Sequence, residues 1–217
     1  MSRLLIKPLV LSCAALCAAH ASADTVQITG FSNGSTITHL IAPVNANANA
    51  GGFATILNGG PTFTSYCVDL IDHVGVPSPV YTDYTLVAGS SHAFANANAN
   101  VDIGRLYSAG HVVNDATTQA AFQVAVWEIA FETTGTYDLA TGSAQFNSSA
   151  AVNALAGNWL GSLAAVSTFN VQVLESRTTQ DLVFATAAVP EPSTYALMAA
   201  GLLGVGFIAR RRSPNQR

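Results

Sequence analysis

The chain has 217 residues, with 12 acidic and 8 basic side chains and a formal net charge of −4. The balance is uneven: all 12 acids lie between Asp24 and Pro192, where Arg105 and Arg177 are the only basic residues, so that stretch carries 2 − 12 = −10. No lysine follows Lys7, and a domain of this sign lacks the basic patch that phosphate neutralisation requires, which excludes a nucleic-acid partner.

The N-terminus reads as an export signal. Arg3 and Lys7 form a positive leading region, Leu9 to Ala19 an apolar one, and Ala21-Ser22-Ala23 a small-residue cleavage site for signal peptidase. Residues 1–23 are therefore expected to leave as a signal peptide, and the mature chain to begin at Asp24. Cys13 and Cys17 leave with the signal. Cys67 is then the sole cysteine, which precludes an intrachain disulfide in an oxidising compartment.

Residues 24–188 are long enough for one secreted ectodomain with its own core. Thr25 to Thr29 alternates apolar and polar side chains, and so in part does Phe63 to Leu70, which predicts strands. Two Ala-Asn runs, 45–50 and 95–100, read as loops, the second leading into a helix that ends near Ser108. Pro77 and Pro79 break the chain before a further strand, Tyr81 to Val87. The strongest helix covers 116–132: Asp115 can cap its start, Gly135 lies just beyond its end, and 120–131 hold only Gln123 and Glu128 as polar side chains. A segment so apolar must be buried on most sides. A second helix is expected over 149–165, with Leu155, Trp159, Leu160 and Leu163 facing inward. Strands return at Phe169–Leu174 and Asp181–Phe184. The expected class is α+β: one β-rich ectodomain with two or three helices, framed by an N-terminal signal helix and a C-terminal transmembrane helix.

Chemistry in this domain converges on two segments, Tyr66-Cys67-Val68-Asp69-Leu70 and Phe122-Gln123-Val124-Ala125-Val126-Trp127. Gln123 shares a helical side with Val126, Trp127 and Ala130, and an amide on an apolar face is costly unless a partner satisfies it. One reading is structural: a core cysteine on a strand packs against a helix whose glutamine hydrogen-bonds backbone. An intermolecular disulfide would be another use of the leftover thiol. The two segments also resemble the surface thioester domains of Gram-positive adhesins, in which an aromatic-Cys-apolar segment meets an apolar-Gln-x-Ala-apolar-Trp segment. That resemblance implies an internal thioester between Cys67 sulfur and the Gln123 side-chain carbonyl, with ammonia released. Tyr66, Phe122 and Trp127 would then keep water from the bond.

No other constellation points to catalysis. His39, His73, His92 and His111 lack zinc-ligand spacing, and no nucleophile elbow or phosphate-binding glycine loop occurs. Asp69, Asp72 and His73 read as a solvated turn, and Asp102 and Asp115 lack an EF-hand spacing. The expectation is no metal, no cofactor and no conventional enzymatic turnover.

The C-terminus, 189–217, has three parts. Val189 to Thr194 contains Pro190-Glu191-Pro192, residues 193–209 carry no formal charge, and Arg210, Arg211 and Arg212 open a basic tail over 210–217. The uncharged run is the minimum length for crossing a hydrocarbon core of about 30 Å, so a transmembrane helix is expected over 194–209. The arginines then act as its cytoplasmic stop. Motif, span and basic stop in this order resemble the PEP-CTERM sorting signal of Gram-negative bacteria. The resemblance implies processing by an exosortase, inner-membrane anchorage during sorting, and a final place at the cell surface or in the extracellular matrix. It further implies a non-catalytic protein associated with exopolysaccharide or biofilm. A covalent adhesion module built on Cys67 and Gln123 is the alternative, and a carbohydrate-active enzyme the third.

Overall fold

In a computed structural model, residues 23–188 and 201–202 are described. The signal peptide, apart from Ala23, and the sorting tail, apart from Gly201 and Leu202, lie outside the described residues, and so do Ala21, Pro190 to Pro192 and Arg210 to Arg212. Among the described residues no helix is long and apolar enough to cross a membrane.

The ectodomain is β-rich α+β, as its patterning predicts. Six strands close into an antiparallel barrel in the order β1 (Asp24–Phe31), β4 (Phe53–Leu57), β5 (Thr62–Cys67), β9 (Leu182–Ala187), β8 (Phe169–Glu175) and β6 (Tyr81–Ala88). Closure leaves these strands no free edge except where one outruns its neighbour. A second sheet has the order β3 (Ala46–Ala50), β2 (Thr36–Ala42), β7 (Gln145–Asn147). Three helices complete the domain: α1 (Ala99–Ser108), α2 (Ala116–Phe131) and α3 (Ala150–Leu160).

Strand alternation does what period two dictates. Val26 and Ile28 of β1 are fully buried, as is Val173 of β8, and Thr38 and Leu40 of β2 point inward while Ile37 and Ile41 are exposed. Inside the barrel wall the Thr55 and Ser65 hydroxyls pair at 2.7 Å, and the Tyr84 hydroxyl donates to the Gln180 carbonyl at 2.8 Å. The burial of these three hydroxyls is thereby offset.

Two expectations require correction. The first Ala-Asn run is a strand, not a loop: it is β3, paired with β2 from Thr36↔Ala50 to Leu40↔Ala46. Alanine and asparagine are poor strand formers, but the ladder with β2 and the burial of Ala50 outweigh that preference. The second run does lead into α1. The helix expected over 149–165 is shorter, since α3 stops at Leu160 before Gly161. Its buried set is Val152, Ala156, Trp159 and Leu160, with Leu155 and Leu163 only partly covered. Strands β2, β4 and β7 carry too few contrasting residues to announce themselves in the sequence.

Helix α2 lies between the barrel and the second sheet, touching β5 on one side and β3, β2 and β7 on the other, with α1 and α3 packed beside it. Every residue from Gln119 to Ala130 is buried. Asp115 caps it as expected: its carboxylate accepts the Thr118 N–H at 2.8 Å, and the Thr118 hydroxyl accepts the Asp115 N–H at 3.1 Å.

Candidate functional site around Cys67 and Gln123

Strand β5 runs past its neighbour β4. The last part of their ladder pairs Phe53 with Ser65, so Tyr66 and Cys67 extend beyond the start of β4. On the other side β5 continues along β9, with Cys67 opposite Leu182, and the Val68 N–H donates to the Asp181 carbonyl at 3.0 Å. The N–H and C=O of Cys67 point the opposite way, where no strand remains to receive them.

Gln123 of α2 takes that place. The Cys67 N–H donates to Gln123 Oε1 at 2.9 Å, and Gln123 Nε2 donates to the Cys67 carbonyl at 2.8 Å. A side-chain amide thus acts as one residue of an absent strand. This explains how a glutamine 1% exposed sits on an apolar helix without penalty. A second buried amide lies one helical turn earlier and is satisfied by side chains instead of backbone. Gln119, fully buried, donates through Nε2 to the Tyr66 hydroxyl at 2.8 Å and accepts Asn33 Nδ2 at 2.7 Å. Gly52 makes room for it, because a Cβ there would overlap the Gln119 amide.

The Cys67 thiol is free, buried and 1% exposed. Sγ donates to the Asp69 carbonyl at 2.5 Å and receives the Asp69 N–H at 3.3 Å. Burial pushes its pKa up to about 12, against a smaller opposing pull from the Trp127 indole and the Asp69 backbone. The thiol is therefore protonated at neutral pH. Trp127 Nε1 faces the sulfur but makes no hydrogen bond of acceptable geometry, so a buried donor is left unspent beside it.

Cys67 and Trp127 line a solvent-open pocket of about 250 Å³ with Phe31, Phe53, His73 and Val76. The other two aromatics expected around the sulfur lie elsewhere. Tyr66 and Phe122 pack on each other at 4.6 Å and line a separate pocket with Tyr107. Tyr66 is the next residue along a strand and projects to the opposite face from Cys67, so only Trp127 shields the thiol as the sequence reading supposed.

Asp69 forms the turn anticipated for it, accepting the N–H groups of Ile71 at 2.8 Å and Asp72 at 3.3 Å. Asp102 binds Arg105 at 2.7 Å and accepts the Tyr137 hydroxyl at 2.6 Å. Among the described residues no group of three or more His, Cys, Asp or Glu converges as metal ligands.

Sequence reasoning missed a buried acid pair one turn apart, Glu128 in the last turn of α2 and Glu132 at its C-cap. Glu132 accepts N–H groups of Thr134 at 2.5 Å, Ser143 at 2.9 Å and Ala144 at 3.1 Å. Burial works to raise its pKa, but these bonds prevail and bring it down to about 2. Glu128 accepts only the Asp138 N–H, at 2.7 Å, and its second oxygen has no partner. Burial, aided by the charges of Glu132 and Asp138, pushes Glu128 up to about 8. The two carboxylates hold the 133–144 loop against the helix. Two acids in an otherwise apolar helical segment were the available signal.

Comparison with known proteins bears on the tail. The PEP-CTERM protein-sorting motif matches residues 188–212, which covers the tripartite segment read from the sequence. No curated protein and no solved structure matches the chain, and the resemblance of the Cys67 and Gln123 segments to thioester domains finds no support there.

Proposed function

We propose that this PEP-CTERM protein, exported and sorted by an exosortase, is a non-catalytic component of the cell surface or extracellular matrix, associated with exopolysaccharide. The sorting motif over 188–212 carries this reading. A closed barrel with a buried protonated thiol suits a stable passive domain better than a turnover enzyme. The test is cell fractionation. With Pro190, Glu191 and Pro192 replaced by alanine, the protein should accumulate unprocessed in the inner membrane, while the native chain leaves it. Equal release of both would overturn the reading, and so would hydrolysis of matrix polysaccharide by the purified native chain.

A second reading is favoured by one observation: the Gln123 amide lies against the residue that carries the thiol. In this reading Cys67 sulfur attacks the Gln123 side-chain carbonyl carbon. The C–N bond breaks, the S–C bond forms, and the thiol proton leaves with the amide as ammonia. The resulting acyl group is open to amines or hydroxyls of a partner surface through the pocket shared with Trp127 and His73. The absence of lysine from the mature domain leaves the N-terminal amine of Asp24 as its one internal amine competitor. Intact mass of the exported protein decides it. A chain lighter by one ammonia, restored to full mass by Cys67→Ala or Gln123→Ala, supports the thioester; an unmodified mass with one alkylatable thiol after denaturation rejects it.

A further inference from the structure

A second pocket, of about 240 Å³, lies on the other side of β5 from the cysteine, walled by Tyr66, Tyr107, His111 and Phe122 with Asn33 and Gln119 at its polar end. Its volume is below the roughly 300–1,000 Å³ of pockets that take drug-sized ligands, which suits a single small ring. The walls are aromatic: Tyr107 meets Phe122 edge to face at 4.9 Å, and His111 stacks on Trp159 at 4.6 Å.

Its hydrogen-bonding capacity is unspent to an unusual degree. The chain of donors runs from Asn33 to Gln119 and from Gln119 to the Tyr66 hydroxyl. The Tyr66 proton then has no acceptor among the described residues. The Tyr107 hydroxyl and His111 Nε2 are buried atoms with no partner among the described residues. Two unpaired groups at one pocket are costly for the free fold, since each unpaired buried group costs about 1–3 kcal/mol. Unsatisfied native groups of this kind call for a partner.

The pocket is also uncharged. Burial drives the Tyr66 and Tyr107 hydroxyls well above the usual phenol range, and burial lowers the His111 pKa, so all three are neutral near pH 7. No Asp, Glu, Lys or Arg is among the residues that line the pocket. An anion would find no counter-charge and a cation no carboxylate. Groups that both donate and accept, set among aromatic faces, match hydroxyls on a compact ring.

We infer that this pocket binds one uncharged sugar ring, with the Tyr66, Tyr107 and His111 polar atoms directed at its hydroxyls. The inference rests on the exopolysaccharide reading only for the source of that ring, and it is independent of any thioester.

The test uses the exported protein recovered from cells. Ligand-observed NMR with D-glucose, D-galactose and N-acetyl-D-glucosamine should give saturable transfer to at least one, and none to inorganic sulfate. Tyr107→Phe should weaken that binding about tenfold, the effect of one lost hydrogen bond, without lowering the melting temperature, because the hydroxyl has no partner in the fold. His111→Phe retains the stack on Trp159 and should weaken binding similarly. Absence of saturable transfer to all three sugars overturns the inference. So does binding that both variants leave unchanged, or a melting temperature lowered by Tyr107→Phe. Cosedimentation with matrix polysaccharide separates the two readings. Polymer binding unaffected by Tyr107→Phe upholds the matrix role and rejects this pocket, whereas monosaccharide binding without polymer binding upholds the pocket and rejects the matrix role.

Discussion

The Gln123 amide completes the hydrogen bonds of Cys67 in the position of a missing strand residue, at 2.9 and 2.8 Å. Gln123→Leu keeps the volume but strands the Cys67 N–H and C=O in a dry interior. Two orphaned groups should cost about 2–4 kcal/mol. Cys67→Ala removes only a small buried side chain and should cost about 1 kcal/mol. Urea denaturation would measure both, and a glutamine variant no less stable than the alanine variant would refute the strand-substitute role.

Thiol reactivity follows from the same geometry. With Cys67 1% exposed and its pKa pushed up to about 12, native protein should resist iodoacetamide at pH 8. Denaturant should release one reactive thiol per chain if Cys67 is free. A chain that remains unreactive after denaturation, and yields its thiol only after hydroxylamine, would instead mark the thioester.

Gly52 is required for space rather than for an unusual backbone angle. Gly52→Ala would drive a methyl into the Gln119 amide and against Thr64 Cγ2, separating Gln119 from Tyr66. A loss of about 1–3 kcal/mol is expected. Thermal melting should show part of it recovered when Gln119→Ala is added, because the clash and the displaced group are the same pair.

The acid pair at the end of α2 gives stability a definite pH profile. Glu128 titrates at about 8 in the fold against an ordinary 4.5, so the folded state holds a proton that the unfolded chain releases between those values. Its contribution is fully present below pH 4.5 and is lost as pH rises through 8. Glu132, held at about 2, acts in the opposite sense: its contribution is present above 4.5 and is lost as pH falls toward 2. Stability from this pair should therefore peak near the ordinary carboxylate range. Glu128→Gln should leave the melting temperature nearly unchanged at pH 5 and raise it at pH 9. Parallel melting curves for both proteins across that range would reject the assignment.

Loss of the helix cap supplies a control. Asp115→Ala deletes the carboxylate that receives the Thr118 N–H and should cost about 1 kcal/mol, with no effect on thiol reactivity. An altered Cys67 alkylation rate would show that the start of α2 and the Gln123 contact are coupled.

The parts of this protein that follow local rules were legible without coordinates. The sorting signal is written in one contiguous segment, read by its resemblance to a PEP-CTERM tail and matched by that motif over 188–212. Strands β1, β6 and β8 follow from alternation, and the cap and apolar length of α2 follow from Asp115 and the run after it. The convergence of Cys67 and Gln123 was legible too, as two short motifs. Tertiary structure decided what distance along the chain conceals. Barrel closure carries β5 two residues past the start of β4, and that offset makes Gln123 a backbone partner. Pairing with β2 turns an Ala-Asn run into a strand against its propensity. Strand alternation sends Tyr66 away from Cys67, into a pocket with Tyr107 and His111 that lie far off in sequence. Burial keeps Glu128 neutral, while N–H groups of the 133–144 loop hold Glu132 charged one turn away, and no residue of α2 specifies either alone.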